Sequence, residues 1–276
     1  MANGAGSWPM VATLGLVMAS LSLGCRSSSN SATVAPVPTT LRDAAPVAEP
    51  VAAPVAAPVA APVAAPSAAE PAIKIVDWPI AWTPERERLA LAYRRAHSDP
   101  NAQDLTIVPQ VIVLHYTGGD SAKGTKGYFD NITIEPSRKQ LYAGGKVNVS
   151  SHFLVDRDGT IYRLMPETKM ARHCIGLNHN GIGVENVGDE SKTKLTEAQV
   201  AANIALVRYL VAQHPTITHL LGHYEVMKFT QDPLFQERDP KFRNDKPDPG
   251  VRFMRSVRTG LTDLPLVGLP SDDKSP

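Results

Sequence analysis

Two of the eight histidines in this 276-residue sequence fall where chemistry could be done. His115 closes the apolar, β-branched run that begins at Gln110, and His223 closes the run Thr218-His-Leu-Leu-Gly222; each stands beside a glycine-bearing turn. Strand ends are places where side chains converge while the backbone holds them rigid. Two imidazoles held in that way are candidate metal ligands. A third residue of the right kind is Asp248, framed by Pro247 and Pro249. Prolines on both sides restrict the local backbone, so the carboxylate is held stiffly, as a ligand should be. Taken alone, the same residue reads better as an N-cap, with Pro249 at the first position of a closing helix. The other histidines have structural readings. His97 and His214 lie near predicted helix C-termini, where the dipole favours an imidazolium. His179 sits in a polar loop, and His219 is a hydrogen-bonded strand residue.

The elements that must position these side chains can be placed from patterning. Thr83-Pro84-Glu85 reads as an N-cap with proline at the first helical position and opens a helix to about Ala96. Gln110–His115 is a short buried strand. Glycines at both ends of 118–145 enclose a helix around Tyr128. His152–Asp156 and Thr160–Leu164 flank Asp158-Gly159, a hairpin signal. Ile182–Asn186 is another strand. Thr196-Glu-Ala-Gln199 has capping-box spacing, and Val200, Ile204, Val207 and Val211 follow at helical intervals. Thr218–Gly222 is a last strand, and Pro249 to about Thr259 a last helix. Together they give an α/β fold, one domain over 73–270 with a mixed β-sheet flanked by helices.

Six motifs occur in order: His115-Tyr-Thr-Gly-Gly119, Ser151-His-Phe-Leu-Val-Asp-Arg-Asp-Gly159, Ala171-Arg-His173, Ile182-Gly-Val-Glu185, Gly222-His-Tyr-Glu225 and Lys246-Pro-Asp-Pro-Gly250. Each is weak singly, but as an ordered set they resemble the zinc N-acetylmuramoyl-L-alanine amidases, whose fold is shared with the peptidoglycan-recognition proteins. The resemblance runs from about Val111 to Val257. It implies one Zn²⁺ ion, with His115 and His223 as histidine ligands and Asp248 as the third. It also implies that Glu185 is the catalytic glutamate and that Lys246 is the lysine near the metal. His173 matches a histidine of the substrate groove, and Thr117 the threonine after the first ligand. Cys174 does not fall at the aspartate position and is read as a small packed residue. Asp232, Asp239 and Asp245 lack the Lys-x-Asp-Pro-Gly context, which favours Asp248.

The implied roles are chemically coherent. Two imidazoles and one carboxylate leave a fourth zinc position open, the arrangement of catalytic zinc. Glu185 would take a proton from the attacking water and return it to the leaving nitrogen of L-alanine. Lys246 would supply positive charge where the oxyanion develops. The substrate would be peptidoglycan or muropeptides, cut between the lactyl group of N-acetylmuramic acid and L-alanine. The alternative is a lipoprotein of the same fold that binds peptidoglycan without hydrolysis. Members that lose activity commonly lack a ligand, whereas all three are present here. A zinc peptidase of another class would be expected to carry His-Glu-x-x-His, which is absent. Two departures from the family pattern stand out: the loop from His173 to Gly181 is short, and 224–245 is long. The latter carries Phe229, Pro233, Phe235 and Phe242, which either pack over the groove or form a surface excursion.

The ends carry different information. An apolar run from Met10 to Leu23 ends at Gly24-Cys25, the length of a secretory core rather than a membrane span. A small residue before a cysteine there resembles a lipoprotein cleavage box, so 1–24 is read as a lipoprotein signal peptide and Cys25 as the lipidated residue. The start has no Lys or Arg, and Ser22 replaces the usual larger apolar residue. Residues 25–72 form an Ala/Pro/Val-rich linker in which Val-Ala-Ala-Pro recurs four times, through Pro66. Proline at every fourth position blocks helix, and about forty residues at ~3.1 Å each could reach on the order of 120 Å. Residues 271–276 read as a disordered tail. Cys174 is the only other cysteine, so a lipidated Cys25 leaves no intramolecular disulfide. Lys and Arg number 28 against 27 Asp and Glu, and no basic block exists, so nucleic acid is excluded as a partner. The expectation is an exported, lipid-anchored monomer, held at the outer membrane facing the periplasm because Arg26 is not an aspartate.

Overall fold

A computed structural model of the chain describes residues 73–268. The expected signal peptide, Cys25, the linker to residue 72 and the tail from 271 lie outside the described residues. Six strands occur: β1 (Ile75–Asp77), β2 (Val111–Tyr116), β3 (Phe153–Val155), β4 (Ile161–Arg163), β5 (Gly181–Asn186) and β6 (His219–Gly222). Five α-helices accompany them: α1 (Pro84–His97), α2 (Ala122–Asp130), α3 (Lys139–Ala143), α4 (Glu197–Gln213) and α5 (Val251–Thr259). The strands form one mixed sheet in the order β1-β4-β3-β5-β2-β6. Only the β3–β4 hairpin is antiparallel; the other neighbours run parallel. The hairpin turns at Gly159, whose φ of 87° suits a residue without Cβ.

Strand periodicity decides which side of the sheet can carry a site. Central β2 is buried on both faces, as its continuous apolar run predicts. Ile112 and Leu114 point to one face, where Ile182 and Val184 of β5 join them beneath Leu206 and Leu210 of α4 and Met254 and Val257 of α5. Val111, Val113 and therefore His115 point to the other face, with Leu221, Leu177 and Cys174. In the parallel β2–β5 register Glu185 stands beside His115 and Gly183 beside Val113. One face is thus closed by helices, and the other, covered by α1 and loops, holds the candidate residues.

Local signals place the helices. The Thr83 hydroxyl accepts from Arg86 N at 3.2 Å, capping α1. Thr196 and Gln199 make a reciprocal capping box on α4. The buried Arg86 donates to the Phe129 and Asn131 carbonyls, fastening α1 to the C-terminal end of α2. α5 begins two residues later than expected. Its N-cap is Gly250, at φ 91°, with no side-chain cap, so Asp248 does not cap it and is left for other work. β1, α3 and a 3-10 helix over His223–Phe229 are elements the sequence did not announce.

The long stretch 224–245 is packed structure, not an excursion. Phe229 and Phe242 are 4% and 5% exposed. Phe235 lies where a side chain on Gly176 would be, and Gln236 N donates to the Gly176 carbonyl at 2.8 Å. His97 at the end of α1 contacts both carboxylate oxygens of Glu237, at 2.9 and 3.1 Å, and reaches the Gly144 carbonyl with its other nitrogen. The stretch therefore buttresses the 174–180 loop and delivers the chain to Asp248.

Candidate metal centre

His115 leaves the end of β2, His223 starts the 3-10 helix just beyond β6, and Asp248 precedes α5. Three segments distant in sequence meet there because β2 is flanked by β6, and because the Tyr224 N–H donates to the Asp248 carbonyl at 2.9 Å. His115 Nδ1, His223 Nδ1 and Asp248 Oδ2 stand 3.0 Å from one another, all buried. Three atoms that bear lone pairs, converging on one point, are badly served by protons and well served by a cation. The centre of a triangle with 3.0 Å edges lies about 1.7 Å from each corner. Zinc bonds to nitrogen and oxygen run ~2.0–2.2 Å, so one ion could touch all three from just off that plane. The donor set fits zinc, and among the described residues it is the one such His/Cys/Asp/Glu group.

The electrostatics agree with this arrangement. Burial, then the neighbouring His223, lowers the His115 pKa to about 4, keeping the ring neutral and its lone pair available. Burial pushes the Asp248 carboxyl up, but the two imidazoles held against it, His115 and His223, outweigh burial and hold the group well below the usual carboxylate range. Glu185 is shifted the other way: burial first, then the Asp248 charge, pushes its pKa up to about 8. Its Oε2 is sealed from solvent with no hydrogen-bond partner, although the residue as a whole is partly exposed. A buried oxygen left unpaired is costly, so Oε2 calls for a partner such as a water, an ion or a bound molecule.

Triad and Glu185 open into one cavity of about 510 Å³, which Lys246, His173 and Thr117 also line. The seven metal, catalytic and substrate-groove residues expected from the sequence are therefore brought to one place, while Cys25 lies outside the described residues. The profile of the N-acetylmuramoyl-L-alanine amidase family matches residues 105–250, from before β2 to the turn after Asp248. The chain belongs to this family. It is 32% identical over 151 residues to the 1,6-anhydro-N-acetylmuramyl-L-alanine amidase AmpD of Salmonella typhimurium, covering 49% of this chain and 79% of that one. It is 33% identical over 101 residues to the endolysin of Escherichia phage T7, covering 35% of this chain and 66% of that one. Among solved structures, an endolysin N-acetylmuramoyl-L-alanine amidase from Clostridium intestinale is 24% identical, with a TM-score of 0.45, over 68% of this chain and 95% of that one.

Within this amidase-family site the remaining residues sort by what their polar atoms touch. The Thr117 hydroxyl accepts from Gly119 N at 3.0 Å and Gly188 N at 3.3 Å, tying the loop after β2 to the end of β5. His173 turns Nδ1 toward His115 Nε2 at 3.0 Å. Cys174 is packed at 2% exposure in the wall, and burial pushes its thiol well up, away from the reactive thiolate. Asp232 and Asp239 accept from backbone N–H groups two residues on, which makes them turn formers. His214 pairs with Glu167 at 2.9 Å and His219 with Thr218 at 2.7 Å, so both are structural as expected. Arg138 and Tyr128 also line the cavity, hydrogen-bonded to each other at 2.8 Å, and no sequence motif marks either.

Proposed function

We propose that the chain is a zinc-dependent N-acetylmuramoyl-L-alanine amidase, cutting the amide between the lactyl group of N-acetylmuramic acid and L-alanine of the peptidoglycan stem peptide. The observation that carries this reading is the juxtaposition of the three converging ligand atoms with the unpartnered Glu185 Oε2 in one groove. His115, His223 and Asp248 would hold the ion. When bound, zinc supplies Lewis acidity to the scissile carbonyl and acidifies the attacking water. Glu185, rigid on β5, accepts that water's proton and returns it to the departing nitrogen. A cation at the triad would offset the Asp248 charge, the second cause of Glu185's raised proton affinity after burial, and so shift Glu185 toward the ionised form a base requires. Lys246, lining the same cavity, places positive charge beside the developing oxyanion.

The reading extends to place. A lipid on Cys25, at the outer membrane facing the periplasm, with the proline-rich linker as a tether, would bring the domain to the cell wall as a monomer. Among the described residues no helix is long and apolar enough to cross a membrane. The test is mass spectrometry of purified peptidoglycan digested with and without a chelator. New L-alanine amino termini should appear only with metal present. Glu185→Gln should retain zinc and lose at least a hundredfold in rate, on the order of what removing a general base costs; a fully active variant would sink Glu185 as the base.

A further inference from the structure

We infer that His173 is a positioning residue for the metal site: seated on Gly183, it accepts the Nε2–H of His115 and thereby commits His115 Nδ1 to the metal. The inference rests on the zinc reading above and deepens it.

Donor and acceptor roles fix the direction. His173 Nε2 lies 3.2 Å from the Gly181 carbonyl, which can only accept, so the ring carries its proton on Nε2. A neutral imidazole has one such proton, which leaves a lone pair on His173 Nδ1. That atom stands 3.0 Å from His115 Nε2, so His115 must be the donor. With its proton on Nε2, His115 has only a lone pair at Nδ1, the atom that faces His223 and Asp248 at 3.0 Å. The chain of bonds runs from the metal ligand through a second imidazole to a backbone carbonyl of β5. Metal-binding histidines usually donate their far N–H to a carboxylate or carbonyl directly, and here a ring is interposed.

The seat is built for that ring. A Cβ on Gly183 would meet His173 Cγ at 2.6 Å and Nδ1 at 2.8 Å, so any side chain there would drive the ring off His115. His152 closes the other side, its ring edge-on with centroids 5.8 Å apart. The His152 ring is itself fixed, accepting from Gly183 N at 3.0 Å and donating to the Lys169 carbonyl at 2.9 Å. Asn178 Oδ1 holds the His173 backbone N–H at 2.8 Å. Both nitrogens of His173 are thus used inside the protein, which suits support of a ligand better than a grip on substrate.

The experiment measures zinc affinity of the full chain by competition with a chromophoric chelator, together with imidazole ¹⁵N NMR of the metal-free protein. Wild-type chain that takes up no zinc would fail the reading beneath, whatever the variants do. Given wild-type binding, His173→Leu should raise the zinc Kd about 10–100-fold, the usual cost of losing such a partner, and Gly183→Ala should do the same. His173→Asn places an oxygen acceptor near the Nδ1 position and should stay within about threefold of wild type. The NMR should show His115 as the Nε2–H tautomer in wild type and His173→Asn, and a tautomer mixture in His173→Leu. Wild-type affinity in His173→Leu overturns the inference, and so does an Asn variant as weak as the Leu one, since that outcome assigns His173 to packing alone.

Discussion

His152 is wholly buried beside the site, and burial lowers its pKa from 6.5 to about 4. In the unfolded chain the ring takes a proton near the ordinary value, whereas in the fold it resists protonation until much lower pH. The folded pKa is depressed, so its contribution to stability is complete above about 6.5 and is lost as pH falls toward about 4. Between pH 7 and pH 5 this amounts to about 2 kcal/mol. Urea titrations at the two values should show wild type losing that much more than His152→Asn; equal losses would deny the shift. At this scale the two histidines are legible in sequence because strand ends are local features, whereas Asp248 has the local signature of a cap and joins them only through its place in the ordered motif set. The part played by His173 is not, since its bond to His115 joins residues 58 apart. Gly183 carries the missing signal, a glycine inside a strand, which often marks a close approach by another group.

At the scale of elements, α4 was the clearest prediction because its start is chemically explicit. The Thr196 hydroxyl accepts from Gln199 N at 3.1 Å, and the Gln199 side chain accepts from Thr196 N at 2.9 Å. Gln199 also reaches across to the Val155 and Val187 carbonyls, so the cap ties α4 to the ends of β3 and β5. Thr196→Ala should cost about 1 kcal/mol in chemical denaturation, with zinc affinity unchanged because the site lies on the opposite face of the sheet. A loss of zinc binding would show that the two faces are coupled. The elements that escaped the sequence reading lacked such local chemistry. β1 is three residues at the sheet edge, defined by pairing with β4 far along the chain. α3 spans five residues with no side-chain cap, and the 3-10 helix is seven residues whose buried Val226 and Phe229, three apart, are too few to announce a helix. The start of α5 was misplaced because Asp248-Pro249 has the signature of a cap, while the aspartate is drawn to two histidines instead.

For the molecule as a whole, a metal held by the triad would make the site a clasp as well as a reaction centre. Its three ligands bring together residues 108 and 25 positions apart, spanning the sheet, the long 224–245 stretch and α5. The unfolded chain has no such preformed geometry, so metal bound by the fold must stabilise it by mass action. Free zinc held 100-fold above its dissociation constant contributes about 2.7 kcal/mol. For a domain of this size that corresponds to a rise in Tm of about 5–10 °C over chelator-treated protein. Asp248→Asn removes the charged ligand while keeping the side chain's shape, so its melting temperature should respond little to zinc. Calorimetry of both proteins, with and without chelator, reads the difference directly. Equal zinc responses in the two would mean that the ion stabilises the fold from somewhere other than the triad.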